Sequence, residues 1–268
     1  MANTVYENFY LANEVEDQFN SHLDLMRFCT IDRSLEGTAG MKKVVNVYAA
    51  TDGTEKLAMG VGNSKSIEVG FTQREYEILL AQNRFEYHDE EAMKDPMLVP
   101  VGMKHAGTDL FNTVQADIFG EFAKATLSVT ASVPNFDAFA DAVAKLALPE
   151  NAGIEVFGYV NPVMKAAVRK ALKDELKYVE AFVRTGYIGT VCGVNLYDKR
   201  DAADNEICIG TKKAVTLFTK TGTEVEQNTK HNRSEDNANK RKNTIFTRKY
   251  YVPALTDETQ VAKIVIGG

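Results

Sequence analysis

Apolar and polar residues in the first third of the chain follow a two-residue period more than a helical one. Residues 43–51 and 66–88 are rich in β-branched and aromatic side chains, in partial alternation, which is typical of β-strands. The polar residues 52–65 between them contain Gly53, Gly60 and Gly62, and predict a turn-rich tip in which glycine can adopt positive φ. The pattern therefore predicts a two-stranded ribbon, which is marginal alone in water and leaves open edges for another chain.

A helical period follows the ribbon. Residues 102–127 place apolar side chains on one stripe, and charged residues occupy the other face. The stripe consists of Ala106, Leu110, Val114, Ile118, Phe122 and Ala125. It predicts one amphipathic helix of about 39 Å. Ahead of the ribbon, residues 1–40 form a polar arm, in which residues 9–25 predict a short amphipathic helix.

From Pro134 onward, short helices and strands alternate, which predicts a small α/β module. Asn135 is the expected N-cap of a helix over 136–146, and Asn161-Pro162 opens a second helix. The remaining segments predict strands at 153–160, 206–209, 214–218, 244–252 and 261–266, a strand pair or bent strand at 187–197, and a solvated loop at 227–243.

Composition narrows the function classes. The chain has 268 residues and a net charge of −6, which argues against generic nucleic-acid binding because such binding needs a cationic face. The three cysteines, Cys29, Cys192 and Cys208, have no metal-site spacing and are expected to be buried free thiols. The N-terminal residues predict no signal peptide, and no apolar run is long enough to span a membrane, so we expect a reducing, cytoplasmic compartment.

The candidate chemical motifs are weak. Residues 60–65 contain two glycines before a lysine but match no phosphate-loop pattern, because a strand rather than a helix follows. Residues 88–91 (His-Asp-Glu-Glu) lack a second histidine at helical spacing, so a charged strand end is favoured over a metal site. We therefore expect no catalytic residues, no cofactor and no metal.

One basic cluster stands out in the polar loop near the C-terminal strands. Its members are Lys230, Arg233, Lys240, Arg241 and Lys242. Glu235 and Asp236 dilute its charge, so a solvated loop is the first interpretation and a contact with a neighbouring subunit the second. Contact with nucleic acid remains a third interpretation.

The order of parts, namely arm, ribbon, long helix, α/β module and returning strands, resembles the major capsid proteins of tailed bacteriophages, with the Hong Kong 97-type fold. Short collinear stretches resemble a branch from phages and prophages of Gram-positive hosts. They are residues 39–43, 55–58, 62–63, 85–87, 95–96, 190–194, 213–218, 224–227 and 241–244.

The resemblance implies an α+β fold with five parts. Residues 1–40 correspond to the N-arm and residues 41–90 to an extended E-loop hairpin. Residues 91–130 correspond to the spine helix of the P-domain, residues 131–212 to the A-domain, and residues 213–268 to the P-domain β-sheet.

The same resemblance implies a non-enzymatic virion protein that is assembled in the host cytoplasm. It would form hexamers and pentamers of an icosahedral shell, enclose double-stranded DNA without sequence-specific binding, and use a separate scaffold protein and a portal. No membrane partner is expected. The expected assembly interface comprises the E-loop tip and the basic loop, with Lys56, Gly60, Gly62, Asn63, Lys65, Lys240, Arg241 and Lys242.

Two further expectations come from comparison with that family. No helical prodomain precedes the family-like sequence, which predicts no N-terminal maturation cleavage. Lys56, Lys65 and Asn243 match no crosslinking motif, which predicts no covalent crosslinks between subunits. The alternatives are an encapsulin-like bacterial compartment on the same fold and, in a different class, a cytosolic α+β enzyme.

Overall fold

The computed structural model describes residues 25–146, 148, 153–173, 189–199, 201–230 and 232–267. The predicted helix over 9–25 and most of the arm lie outside the described residues.

The helices are α1 (Leu25–Phe28), α2 (Asp89–Lys94), α3 (Leu98–Phe122), α4 (Phe136–Lys145), α5 (Pro162–Ala171) and α6 (Glu235–Asn239). The first strands are β1 (Thr30–Asp32), β2 (Lys42–Ala50), β3 (Val69–Glu77), β4 (Leu79–His88), β5 (Leu127–Ala131), β6 (Val156–Val160) and β7 (Thr190–Val191). The others are β8 (Val194–Asp198), β9 (Glu206–Thr211), β10 (Val215–Thr219), β11 (Glu224–Asn228), β12 (Lys242–Leu255) and β13 (Val261–Ile266).

A five-stranded sheet is organised around the long strand β12. One edge of β12 pairs antiparallel with β4, and the other edge pairs with β11 and then with β10. The short strand β1 adds to β10 in parallel. Because β12 is shared by three neighbours, it ties the return strand of the ribbon to the C-terminal part of the chain.

The predicted long helix is present with shifted ends. It begins at Leu98, so Pro100 falls in its first turn, where a missing N–H costs nothing. It ends at Phe122 instead of residue 127, because Leu127–Ala131 joins a sheet as β5. The predicted stripe is buried from Ala106 to Phe122 against the five-stranded sheet. In the described part of the chain, no helix is long and apolar enough to cross a membrane.

A six-stranded sheet forms the second half, in the order β5-β13-β9-β6-β8-β7. Helices α4 and α5 cover it and bury Phe139, Met164 and Val168. The strand pair predicted at 187–197 is a tight hairpin of β7 and β8, and its turn holds Cys192 and Gly193 at positive φ. The predicted strand at 153–160 is shorter and begins at Val156.

The last strand does not pair where the sequence placed it. Strand β13 was expected in a sheet with residues 213–260, but it pairs with β5 in parallel and with β9 antiparallel. Ile264 thereby enters the second core, where it is fully buried. The division at residue 212 therefore separates strands that the structure joins, because sequence order does not determine which sheet an edge strand completes.

The ribbon is also divided differently from the prediction. Strand β2 pairs with β3 over nine residue pairs, from Lys42 with Glu77 to Ala50 with Val69. The rest of the predicted second arm, β4, pairs with β12 instead. Ile78 separates β3 from β4; it is buried, and its N–H donates to the carbonyl oxygen of Met41 at 2.9 Å. The chain from Val69 to His88 thus links the ribbon directly to the five-stranded sheet.

Two helix caps give a matched test of this fold. The side chains of Asn135 and Asn161 accept hydrogen bonds from the N–H groups of Ala138 and Met164, as predicted for N-caps. Asn161 is only 2% exposed and also donates to the carbonyl of Ala202 at 3.2 Å. We expect Asn135→Ala to cost about 1 kcal/mol. We expect Asn161→Ala to cost at least about 2 kcal/mol, because it also leaves buried groups unpaired. Chemical denaturation of both variants would check this, and equal losses would contradict the added role of Asn161.

Candidate assembly surfaces

The distal half of the ribbon exposes apolar side chains along one face. Val69 and Phe71 are more than 60% exposed, as is Ile67 just before β3. Val44 is also exposed on β2. Single exposed apolar residues are normal, but a contiguous group on a projecting element marks an interaction surface. The prediction that Ile67 and Phe71 are not buried within the subunit is confirmed; the side chain of Val47 lies outside the described residues.

The base of the ribbon is fixed to the body. Arg74 forms an ion pair with Glu258, and the hydroxyl of Tyr76 donates to the carbonyl oxygen of Leu255 at 3.3 Å. Val45 and Tyr76 also pack against a small core that contains Leu35, Ile78, Phe218, Val252 and Ala254. Beyond Val45 the ribbon extends for about five residue pairs, or roughly 16 Å. Its orientation is therefore set by the body, while its distal half remains available to a neighbour.

The tip has its own hydrogen-bond framework. The carboxylate of Glu55 accepts from the N–H of Ser64 at 2.8 Å and from its hydroxyl at 2.7 Å. The amide of Asn63 donates to the carbonyl oxygens of Gly53 at 3.3 Å and Lys65 at 2.5 Å. The hydrogen bonds from Ser64 lower the pKa of the Glu55 carboxyl, so the ionised form favours this arrangement. The tip is thus more ordered than its glycine content suggested.

Gly60 shapes the end of the tip. Its φ is +84°, and the N–H of Val61 donates to the carbonyl oxygen of Ala58 at 3.2 Å, which closes a type II turn. This turn leaves Met59 fully exposed, with Leu57 and Val61 also exposed on either side. We call Leu57, Met59 and Val61 the apolar knob. The sequence pointed to the glycines and lysines here, but it did not single out the knob.

The five predicted tip residues lie together but differ in role. Lys56 and Lys65 are exposed, and Asn63 is engaged within the tip. Gly60 occupies the left-handed region, whereas Gly62 does not, and the space around Gly62 is open. Their role in assembly stays a prediction.

The two glycines therefore provide a matched pair of variants. Gly60→Ala should disfavour the turn by about 1 kcal/mol, because a Cβ is strained at positive φ. We expect it to raise the protein concentration needed for assembly, measured by light scattering. Gly62→Ala should leave that concentration unchanged. A similar effect of both substitutions would contradict the role of the turn.

Part of the basic loop is neutralised within the subunit. Arg241 pairs with Glu90 at 2.5 Å, and Lys242 pairs with Glu86 at 2.7 Å. Lys240 is exposed. The predicted loop over 227–243 is also partly regular, because β11 continues to Asn228 and α6 occupies Glu235–Asn239. The solvated-loop interpretation was therefore incomplete: part of the loop docks on the acidic end of β4 and the start of α2.

Asp89, Arg233 and Asn243 form the centre of this docking, and we call these three residues the latch. Arg233 pairs with both oxygens of the Asp89 carboxylate, and its Nε donates to the Asn243 side-chain oxygen at 3.1 Å. Asn243 in turn donates to Asp89 at 2.8 Å. Hydrogen bonds from Arg233 and then Asn243 lower the pKa of the Asp89 carboxyl. Asn243 is nearly fully buried, which makes it a poor candidate for an intersubunit crosslink.

The acidic residues 88–91 thus have structural partners. Besides the ion pairs of Asp89 and Glu90, the Glu91 carboxylate accepts from the N–H of His88 at 2.9 Å and caps α2. Across the described residues, no group of three or more His, Cys, Asp or Glu side chains is arranged to hold a metal ion. The sequence alone could not reveal the latch, because Asp89 lies more than 140 residues from Arg233 and Asn243.

A second exposed apolar stripe lies on α2 and the start of α3. Met93, Met97 and Val101 are all exposed and recur at intervals of four residues. The sequence carried this periodic signal, but the prediction placed the helix start later. The stripe is a further surface that association can cover.

The three cysteines are free. Burial raises the pKa of the Cys29 thiol to about 12 and that of Cys208 to about 11, so both stay protonated. Cys192, in the β7–β8 turn, is partly exposed, so the expectation of burial was wrong for this residue. Because the thiolate is the reactive form, Cys29 and Cys208 are poor nucleophiles.

Comparison with known proteins shows the fold. No family model and no curated protein sequence matches the chain. Among solved structures, a virus-like particle from Pyrococcus furiosus matches with a TM-score of 0.61 at 13% identity, over 96% of this chain and 99% of that one. The native GTA particle capsid gives a TM-score of 0.67 at 12% identity, over 90% and 89%. The chain has the Hong Kong 97-type capsid fold.

A phage protein matches with a similar TM-score. A structure from Mycobacterium phage Che8 matches with a TM-score of 0.60 at 19% identity, over 87% of this chain and 88% of that one. The match spans most of both chains, so the similarity is not limited to one substructure. The predicted fold class is therefore confirmed.

Proposed function

We propose that this protein is the major subunit of an icosahedral shell that encloses phage double-stranded DNA. The proposal rests chiefly on a fold found in particle shells combined with a ribbon whose distal half exposes large apolar side chains. Hexamers and pentamers of the subunit would build the shell. Each subunit would make many modest contacts, which together stabilise a closed particle.

The five-part division carries over as a proposal, with two adjustments: the E-loop, expected over residues 41–90, ends at residue 78 because β4 pairs with β12, and β5 and β13 move to the A-domain. Residues 1–40 act as the N-arm, residues 41–78 as the E-loop, and α3 with the five-stranded sheet as the P-domain. The six-stranded sheet with α4 and α5 acts as the A-domain and includes β5 and β13. Both adjustments follow strand pairing, and the second replaces a boundary at residue 212.

The charge distribution supports enclosure of DNA without tight binding. The net charge is −6, and the two cationic groups of Arg241 and Lys242 are paired within the subunit. The net charge is thus unfavourable for binding phosphates, and these two members of the basic loop are already paired with carboxylates. The virion is the proposed location, with assembly in the host cytoplasm, a separate scaffold protein and a portal as partners. Phages of Gram-positive hosts are the proposed source.

Negative-stain microscopy with size-exclusion chromatography tests the proposal. We expect angular shells, or rings of five or six subunits, from the full chain produced with its genomic neighbours. A monomer of about 30 kDa under all conditions would contradict assembly and favour the enzyme alternative. Denaturing gels should show no crosslinked multimers.

A bacterial compartment is the second candidate. The match to the Pyrococcus furiosus virus-like particle, over nearly the whole of both chains, shows that the same fold occurs in a particle not described as a phage capsid. The contents of purified particles separate the two candidates. Nuclease-protected DNA of genome length supports the phage shell, whereas a defined cargo protein without such DNA supports the compartment.

A further inference from the structure

A polar cavity of about 380 Å³ lies at the edge of the six-stranded sheet, between α5 and the β7–β8 hairpin. Helix α5 contributes Lys165 and Arg169, which share one face of the helix because they are four residues apart. Arg27 reaches the cavity from α1. The other polar side chains of the lining are Glu155, Thr190, Asn195 and Tyr197. Among the described lining residues, three side chains are therefore cations and one is a carboxylate.

The carboxylate of the cavity already has partners. Glu155 accepts hydrogen bonds from the side-chain amide of Asn195 at 2.9 Å and from the hydroxyl of Tyr197 at 3.4 Å. Arg27 donates to the oxygen of the same tyrosine at 3.2 Å. Glu155 is thus oriented by two uncharged donors of β8 rather than by a cation of the cavity.

The guanidinium of Arg169 differs from the other polar groups of the lining. Its Nε is buried and has no hydrogen-bond partner within the described part of the chain. Lys165, by contrast, pairs with Asp198 at 2.6 Å. With Asp198 counted, three cations stand against two carboxylates, so one positive charge is left unbalanced. A buried donor without an acceptor is unfavourable, and an oxyanion would supply both the acceptor and the missing charge.

We propose that this cavity binds a free oxyanion of the phosphate type, held chiefly by Arg169. A guanidinium can bind two oxygens of one phosphate, and a small rotation of the side chain would turn Nε and one Nη toward the same anion. Lys165 and Arg27 add positive potential around it. The hydroxyl of Thr190 now donates to Asn195 Oδ1 at 2.9 Å and is a further donor at the wall. The bound anion would join α1, α5 and the β7–β8 hairpin, three segments that are far apart in the sequence.

Thermal unfolding of the unassembled full chain tests this proposal, with inorganic phosphate as the probe. At about pH 8 and about 20 mM phosphate, we expect the melting temperature to rise by about 3 °C relative to sodium chloride of the same ionic strength. Arg169→Gln should lose this shift. Lys170→Gln should keep it and is the matched control, because Lys170 is an exposed cation in the same helical turn but outside the cavity. General salt effects of phosphate act on all three chains alike.

The same variants without phosphate give a second test. If Arg169 has no counter-charge within the subunit, Arg169→Gln should unfold in chloride at the same temperature as Lys170→Gln or at a higher one. A clearly lower temperature would reveal an internal partner and would overturn the proposal.

Three other outcomes would also overturn the proposal. They are an equal phosphate shift in all chains, no shift in the native chain, and a shift that a short DNA duplex produces but free phosphate does not, which would assign the cavity to nucleic acid. Because the assay uses the unassembled subunit, its outcome is independent of whether the protein forms shells.

Discussion

Replacing Leu57, Met59 and Val61 together with aspartate should abolish shell assembly while leaving the subunit folded. Met59 is fully exposed, and Leu57 and Val61 are about half exposed, so their replacement removes little contact within the monomer. We expect the free energy of unfolding to change by at most about 0.5 kcal/mol. Assembly followed by light scattering and electron microscopy, with denaturation of the same samples, measures both effects.

The expected loss of assembly is large because the same contact is lost in every subunit of the shell. Burying one such side chain contributes about 1.5–3 kcal/mol, and three aspartates would add a desolvation cost at every contact. Each subunit of a closed shell would place its own tip against a neighbour, so the loss recurs throughout the particle. A modest local change therefore becomes an all-or-none outcome for assembly.

Val163→Asp is the matched control for the knob. Val163 is 66% exposed on α5, on the other half of the molecule, and has the same apolar chemistry. Replacing residues 52–65 with a tight turn should reproduce the defect of the triple variant. Normal shells from either tip variant, or an equal loss from Val163→Asp, would contradict the assignment of a contact to the tip.

The sequence predicted features that depend on local pattern. The stripe from Ala106 to Phe122 repeats at helical spacing, and both Asn135 and Asn161 are followed at once by helical residues, so α3, α4 and α5 were predictable. Their ends were less so, because residues near Leu127 suit either a helix end or a strand. Pairing with β13, far along the chain, decides between the two.

Features that depend on residues far apart in the sequence were missed, because the local pattern does not show which segments will meet. Nothing near Asp89 indicates that Arg233 will lie beside it, and nothing near β4 shows that β12 is a better partner than β2. At the tip, Gly60 was noted, but the exposure of Met59 follows from a turn whose geometry depends on Glu55 and Ser64. The residues of each candidate surface are close together in the sequence, but the direction in which they point depends on contacts with residues elsewhere.

Asp89→Asn should destabilise the subunit by about 2–4 kcal/mol, the largest single-residue effect that we expect on stability. The Arg233 side chain is only 6% exposed, and the substitution removes the charge that balances it. Glu90→Gln is the matched control, since Glu90 and its partner Arg241 are 47% and 65% exposed. Such exposed pairs contribute about 0–1 kcal/mol. Similar losses from both variants in chemical denaturation would contradict a special role of the latch.

The pH dependence should follow from the direction of the Asp89 pKa. This pKa is lowered in the folded state, so the ionised carboxyl stabilises the fold. The contribution is complete above the unfolded-state value of about 3.9 and is lost as the pH falls through the folded-state value. The difference in stability between the native chain and Asp89→Asn should therefore be constant near neutrality and shrink below about pH 4. A difference that does not narrow in acid would rule out the carboxylate charge as its cause.

A double variant distinguishes two causes of the loss of stability: an unpaired buried charge on Arg233, or lost side-chain packing. If the cost of Asp89→Asn arises because Arg233 is left buried without its counter-charge, then removing that charge as well should restore much of the stability. We therefore expect Asp89→Asn with Arg233→Gln to be more stable than Asp89→Asn alone. Additive losses would instead mean that each side chain contributes by packing. Recovery would show that Asp89, at the start of α2, and Arg233, in the basic loop, stabilise the subunit by neutralising each other's charge.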